Sequence, residues 1–209
     1  MQMTPLRFLI LPVFLAAGWV QADPGPSQEA GWIAYKRGDY TEAVRIYEML
    51  SNASPKDASL RYDLGCLYAL KGRLPEAAQV LLEAVALDPQ RALTYDTLGQ
   101  VFEQQDQPAA ARMFYAAAAE LAPQNPKILW HFARICIRFD DSKTASETLR
   151  QLLLFDPDNW EARYYLGALE LQAGRYEQAA GDFRAVLEQS PDHRKALTGL
   201  GLALERAKQ

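Results

Sequence analysis

Histidine and cysteine are the side chains with which this chain could hold a metal or form a covalent intermediate, and few are present. The sequence has two of each: His131, His193, Cys66 and Cys136. Neither histidine has a second histidine or a cysteine at the spacing of a metal site. The patterns CxxC, HExxH, GxSxG and the glycine-rich phosphate loop do not occur either. The sequence therefore predicts no catalytic residue, no metal site and no cofactor, and it indicates a protein that is not an enzyme.

The composition is typical of a chain that buries a core. Of the 209 residues, 49% are hydrophobic, and the formal net charge is −4. No run of like charges is present, and a nucleic-acid binder would show a basic face. The composition therefore argues against nucleic acid as a partner.

The first 22 residues have the layout of a secretory signal peptide. Arg7 supplies one positive charge, and residues 8–20 form an uncharged apolar run. Small side chains then lead up to Ala22, which predicts cleavage after that residue. The alternative is an uncleaved anchor, although a membrane span needs about 20 apolar residues. We expect an exported protein with no stable membrane span after cleavage. The periplasm is the expected location, and secretion or an uncleaved amino-terminal anchor are the alternatives.

Proline recurs at a constant interval of 34 residues along the rest of the chain. The prolines are Pro55, Pro89, Pro123, Pro157 and Pro191. A fixed period between 20 and 50 residues is typical of proteins built from stacked repeats. The interval divides the chain into units of about 24–57, 58–91, 92–125, 126–159 and 160–193, followed by a partial unit, 194–209.

Other positions with the same interval predict how each unit folds. Small residues suit points where two helices approach closely; they lie at Gly31, Gly65, Gly99, Ala133, Gly167 and Gly201. A second set falls between two helical stretches, where a left-handed residue would reverse the chain; its members are Gly38, Gly72, Asp106, Asp140 and Gly174. Each unit is therefore predicted to be a helix, a tight turn and a second helix.

Helix starts are also marked in the sequence. Asp57, Asn125 and Asn159 lie where a new first helix should begin, and these side chains can cap it. Three prolines lie near predicted helix starts, where a missing N–H costs little; they are Pro75, Pro108 and Pro126.

Together these residues resemble the tetratricopeptide repeat (TPR) family. The clearest unit, residues 60–89, reads LRYDLGCLYALKGRLPEAAQVLLEAVALDP. The resemblance covers residues 24–209. It implies an all-α fold, a right-handed superhelical solenoid of helix-turn-helix units with a capping helix at 194–209. Ala34, Ala133 and Cys136 depart from the family pattern. We therefore expect the first and fourth units to be less regular.

The two cysteines lie on the first helices of units two and four. Helices pack about 8–10 Å apart, so a whole intervening unit separates the thiols by about 20 Å. A disulfide needs Cα atoms within about 7 Å. We predict that Cys66 and Cys136 do not form an intramolecular bridge.

The resemblance implies that fixed positions of each first helix line a concave groove. Aromatic and arginine side chains carry much of the binding energy at protein interfaces, and this wall contains both. The predicted partner-binding residues are Trp32, Tyr35, Tyr62, Cys66, Leu70, Trp130, Arg134, Arg138, Tyr164 and Leu171.

We expect Tyr62, Trp130 and Tyr164 to form a ladder that binds a peptide or a helix. Arg134 and Arg138 are one helical turn apart, so they could hold an acidic segment of that partner. Alternatively, solenoid walls simply expose some aromatic residues, or residues 23–30 fold back over Trp32 and Tyr35. The carboxylate clamp of some TPR domains is not expected, because Asp63 and Asp96 lie in or near that region.

Two functions remain open at this point. The first is a non-enzymatic adaptor that binds another protein in the cell envelope. Exported TPR proteins of this size resemble assembly factors of bacterial pili, secretion systems and other envelope complexes. The second is a structural protein that self-associates through the groove or through an end of the stack.

Overall fold

The structure, a computed structural model, describes residues 26–208, which form α-helices and no strands. The predicted signal peptide lies outside this range. The helices are α1 (Gln28–Lys36), α2 (Tyr40–Ala53), α3 (Ala58–Leu70), α4 (Leu74–Leu87), α5 (Ala92–Gln104), α6 (Pro108–Leu121), α7 (Pro126–Arg138), α8 (Ser142–Phe155), α9 (Trp160–Gln172), α10 (Tyr176–Gln189) and α11 (Arg194–Arg206).

The helices repeat in pairs. From α3 onward every odd-numbered helix has 13 residues and every even-numbered helix has 14. The first unit is shorter, because α1 has only 9 residues. The fourth unit, formed by α7 and α8, is as regular as its neighbours, and Ala133 is fully buried there. The expected irregularity is therefore found in the first unit alone.

The turn between the two helices of each unit depends on one left-handed residue. Gly38, Gly72 and Gly174 have φ between 73° and 77°. Asp106 and Asp140 take the same place with φ of 54° and 55°. Aspartate is one of the few residues with a side chain that enter this region readily, which explains why it can replace glycine here. All five positions were predicted from their spacing.

All three predicted caps are present. The Asp57 carboxylate accepts hydrogen bonds from the backbone N–H of Ser59 and Leu60. Asn125 and Asn159 cap α7 and α9 in the same way. His193 caps α11, because its Nδ1 accepts from the Ala196 N–H at 3.0 Å. These bonds satisfy donors that a helix leaves free at its start, and they fix where each repeat begins.

The small residues of the first helices allow each pair to pack closely. A Cβ placed on Gly65 would lie 2.5 Å from Leu81 Cγ, and one on Gly99 would lie 2.5 Å from the Tyr115 ring. In the capping helix α11, a different glycine makes the close contact with the preceding unit. A Cβ on Gly199 would lie 2.5 Å from the Phe183 ring, whereas one on Gly201 would have no heavy atom within 4 Å among the described residues.

Contacts between helices show which helices line the inner side of the stack. Each helix packs on its neighbours in sequence, and α11 also packs on α9. The odd-numbered helices α3, α5 and α7 also contact one another in succession. Among the described helices, no two even-numbered ones make a comparable contact. The odd-numbered helices therefore lie on the shorter, inner side of the curve.

Candidate binding groove

Five of the ten predicted residues meet in one pocket at the amino-terminal end of the inner wall. Trp32 and Tyr35 of α1 and Tyr62, Cys66 and Leu70 of α3 line a cavity of about 410 Å³. The rings of Trp32 and Tyr35 stack with centroids 5.3 Å apart. Trp32 is 52% exposed and Leu70 56% exposed. We refer to this cavity as the amino-terminal pocket.

The alternative that residues 23–30 cover this pocket finds no support in the part of that segment that the structure describes. Ser27 caps α1, and residues 28–30 form its first turn. These residues extend the wall on which Trp32 lies. None of residues 26–30 lines the pocket.

Three further residues line the amino-terminal pocket: Tyr47, Asp63 and Leu67. Burial raises the pKa of the Asp63 carboxyl, and nearby Arg91 lowers it by less. Burial also raises the pKa of Tyr62 to about 12. The Tyr62 hydroxyl therefore stays neutral at neutral pH, and Asp63 is the acidic residue that lines the cavity.

A polar stretch follows in the middle of the wall. Asp96, only 2% exposed, lies 2.6 Å from Nδ1 of His131 and accepts a hydrogen bond from Gln100. Glu103 accepts from the Tyr115 hydroxyl at 3.0 Å and from Arg134 at 2.7 Å. Asp96 and Glu103 therefore already have hydrogen-bond partners within the protein, and little of their hydrogen-bonding capacity is left for a bound peptide.

The two predicted arginines are part of this region. Arg134 pairs with Glu103, and Arg138 lies 3.5 Å from the exposed Asp106 carboxylate. Both guanidinium groups therefore have an acidic neighbour on α5 or just after it. An acidic partner segment would have to compete with these carboxylates, which weakens the expected clamp.

Trp130 also differs from its expected setting. It is half-buried and packs against Tyr165 of α9, with ring centroids 5.5 Å apart. It lines neither the amino-terminal pocket nor the cavity at the other end. The middle residue of the expected ladder thus lies outside both pockets, and binding by Tyr62, Trp130 and Tyr164 together stays a prediction.

A second apolar pocket lies at the carboxy-terminal end of the same wall. Tyr164 and Leu171 of α9 and Leu202 of α11 line a cavity of about 370 Å³, which we call the carboxy-terminal pocket. The Tyr164 ring lies 5.1 Å from the His193 ring, so the residue that caps α11 also supports the pocket. Arg194 and Lys195, both exposed, lie at its edge. The two pockets therefore differ in charge.

The two cysteines are free thiols held in the packed helices. Cys136 is fully buried, and it does not pair with Cys66, as expected from their places in the repeat. Burial raises the pKa of the Cys66 thiol, and it raises that of Cys136 to about 11. Both thiols are therefore protonated near neutral pH and are poor nucleophiles. Between residues 26 and 208 no three potential ligands gather into a metal site.

Two features of the groove went beyond the sequence prediction. In the sequence, Asp63 argues only against a carboxylate clamp. Its position in the wall of an aromatic pocket can be seen only in the three-dimensional structure. Leu202 falls at a wall position of the partial sixth unit, so the 34-residue register was the signal that could have found it.

The fold and groove define the class of protein as an α-solenoid of helix-turn-helix repeats. Three family models, each described as a tetratricopeptide repeat, match residues 29–92, 92–125 and 133–198. The chain thus contains tetratricopeptide repeats over most of its described length, and its fold is a TPR solenoid.

Solved structures agree with this fold. The crystal structure of MamA superimposes with a TM-score of 0.70 and 22% sequence identity, covering 79% of this chain and 96% of that chain. YrrB, described as a TPR protein with an unusual peptide-binding site, gives a TM-score of 0.68 and 20% identity, covering 80% of this chain and 87% of YrrB. At these identities the likeness concerns the fold.

The BBSome complex member BBS4 of Bos taurus is 25% identical over 158 residues. The match covers 74% of this chain but only 30% of the bovine protein, so this chain spans less than a third of that relative's length. Within residues 26–208, no helix is long and apolar enough to cross a membrane.

Proposed function

We propose that this protein is a non-enzymatic adaptor that binds a peptide or helix of another protein along its inner wall. The observation that carries the proposal is the pair of apolar pockets, one at each end of that wall. Exposed aromatic and aliphatic side chains such as Trp32 and Leu202 are unfavourable in water, and a contiguous apolar patch on a soluble domain commonly marks an interaction site.

The two pockets also suggest how the partner binds. A segment that spans the wall would anchor apolar side chains at both ends and cross the polar stretch between them. Because the central carboxylates and arginines already pair with each other, the centre would add little affinity. We therefore place the main binding energy in the end pockets.

We further propose that this binding takes place in the cell envelope, in the assembly of a pilus, a secretion system or another envelope complex. The support is the pattern of the first 22 residues, with its apolar run and small residues before Asp23. Amino-terminal sequencing of the protein from fractionated cells tests this location. A chain that begins at Asp23 in the periplasmic fraction is expected, and a full-length chain in the cytosol would contradict it.

Photo-crosslinking in living cells tests the groove itself. A photoreactive amino acid is introduced at Tyr62 or Leu202, and in control cells at Met113, which is 74% exposed on α6 of the outer side. We expect both groove positions to crosslink to the same partner, identified by mass spectrometry, and the control position to give little of that product.

Two outcomes would contradict the adaptor proposal. Equal crosslinking from Met113 would mean that the groove is not the contact surface. Crosslinking only to a second copy of this chain would favour self-association, the alternative function. The melting temperature of each variant is measured first. Only variants that melt at the wild-type temperature are compared, so that a missing crosslink does not reflect an unfolded protein.

A further inference from the structure

Asp63 is the one buried or half-buried carboxylate among residues 26–208 for which the structure shows no hydrogen bond and no ion pair. Within residues 26–208, every other buried or half-buried aspartate or glutamate makes a hydrogen bond or an ion pair. Asp63 is half-buried in the wall of the amino-terminal pocket. Removing a carboxylate from water without a partner costs free energy. A cation from another molecule that paired with Asp63 would recover part of this free energy.

The surroundings of Asp63 are those of a cation site. Aromatic rings attract cations through the negative charge of their faces, and Trp32, Tyr35 and Tyr62 line the same cavity. Two of these rings already hold a cation on one side. Lys36 Nζ lies 4.7 Å from the Trp32 centroid, and Arg91 Cζ lies 4.1 Å from the Tyr62 centroid.

Neither of these cations neutralises Asp63. Arg91 donates a hydrogen bond to the Ser59 hydroxyl at 3.0 Å and forms no ion pair with Asp63. Its charge lowers the pKa of the Asp63 carboxyl by less than burial raises it. The pocket therefore retains an acidic group that is open to a cation from outside.

We propose that the amino-terminal pocket binds a basic side chain, lysine or arginine, of the partner peptide. The ammonium or guanidinium group lies against Asp63, and the apolar stem of the side chain packs on the aromatic wall. A long side chain with an apolar stem and a charged end suits a pocket that is aromatic with one carboxylate. This inference rests on the proposed groove function and adds to it the chemistry of one anchor.

The test uses four small probes and the whole protein. The probes are the N-acetyl methylamides of lysine, arginine, norleucine and Nε-acetyl-lysine, which separate the charge from the length of the side chain. Binding is followed by NMR through the indole N–H signal of Trp32. We expect lysine and arginine to bind about tenfold more tightly than the two neutral probes.

Asp63→Asn removes the charge and keeps the shape of the side chain. We expect it to reduce lysine binding to the level of norleucine and to leave norleucine binding unchanged. The matched control is Glu120→Gln, which removes the same charge from an exposed residue of α6. We expect this control to bind all four probes as the wild type does.

The proposal is overturned if neutral probes bind as tightly as lysine, if no probe shifts the Trp32 signal, or if Asp63→Asn keeps the preference. If the Asp63→Asn variant does not fold, the proposal is still tested on the wild type, by comparing its affinity for the lysine probe with its affinity for the Nε-acetyl-lysine probe. Failure of this inference is distinct from failure of the adaptor proposal. Groove crosslinks without a preference for lysine would contradict only the cation site. A preference for lysine without groove crosslinks would contradict only the adaptor proposal.

Discussion

Asp182 shows, at the scale of single residues, how burial controls a carboxylate even when a cation is near. Its side chain on α10 is 17% exposed, and Arg163 Nη1 lies 3.8 Å from Oδ1. Burial raises the pKa of Asp182 to about 6, and Arg163 offsets only part of this effect. Between the ordinary value of 3.8 and about 6, the folded protein therefore holds a proton that the unfolded chain has released.

This difference predicts a specific pH dependence of stability. Because the folded state binds more protons than the unfolded state in that window, the contribution of Asp182 to stability falls as the pH rises from about 4 to about 6. Asp182→Asn removes the penalty. We expect it to raise the free energy of unfolding by about 1–3 kcal/mol at pH 7.5, relative to its effect at pH 4.

Urea denaturation of both proteins across this pH range measures the effect. Glu188→Gln is the control, since Glu188 is exposed on the same helix. An Asp182→Asn effect that is the same at both ends of the range would contradict the prediction.

At the scale of elements, the distance between paired helices depends on the small residue in each first helix. Gly65 lies against Leu81, and a Cβ there would come 2.5 Å from Cγ of that leucine. Gly201 occupies the same place in the repeat but has no heavy atom within 4 Å of an added Cβ. Substituting Gly65 and Gly201 in turn therefore distinguishes the effect of glycine on helix packing from its effect on helix propensity.

Gly65→Ala and Gly201→Ala should therefore have opposite effects. We expect Gly65→Ala to destabilise the protein by about 1–3 kcal/mol, because the added methyl forces α3 and α4 apart. We expect Gly201→Ala to stabilise it by about 0.5–1 kcal/mol, because alanine is the better helix former. Chemical denaturation measures both, and a loss of stability from Gly201→Ala would mean that its surface is covered.

At the scale of the whole molecule, each unit contacts only its neighbours, so stability is expected to be local. Phe183 is fully buried and contacts both Gly167 of α9 and Gly199 of α11. Its loss should therefore weaken the carboxy-terminal end of the stack and leave the distant amino-terminal end unaffected.

Hydrogen exchange with Phe183→Ala tests this expectation. We expect the free energy of opening to fall by about 3–5 kcal/mol for amides in α9 to α11, and to stay unchanged in α1 to α4. Leu154→Ala is the control, since Leu154 is 78% exposed. A uniform fall along the chain would show that the repeats unfold as one cooperative unit.

The sequence by itself determined the repeating part of this protein. Period, turns and caps depend on residues close together in the chain, such as Gly72 in its turn and Asp57 at the start of α3. The close approach of paired helices also follows from spacing, because the two helices of a unit are adjacent in sequence. These features could be predicted because each depends on residues that lie close together in the chain.

Only the tertiary structure decided which wall residues are open and which carboxylates are paired. Tyr62 and Trp130 hold equivalent places in their units, yet Tyr165 of the next unit packs on Trp130, and Tyr62 lines a pocket. Glu170 of α9 is 3% exposed and accepts hydrogen bonds from Arg150 and Arg175, whereas no residue between 26 and 208 pairs with Asp63. The reason is physical: exposure and pairing depend on what the neighbouring helix places opposite a residue, and this varies between units that share one pattern.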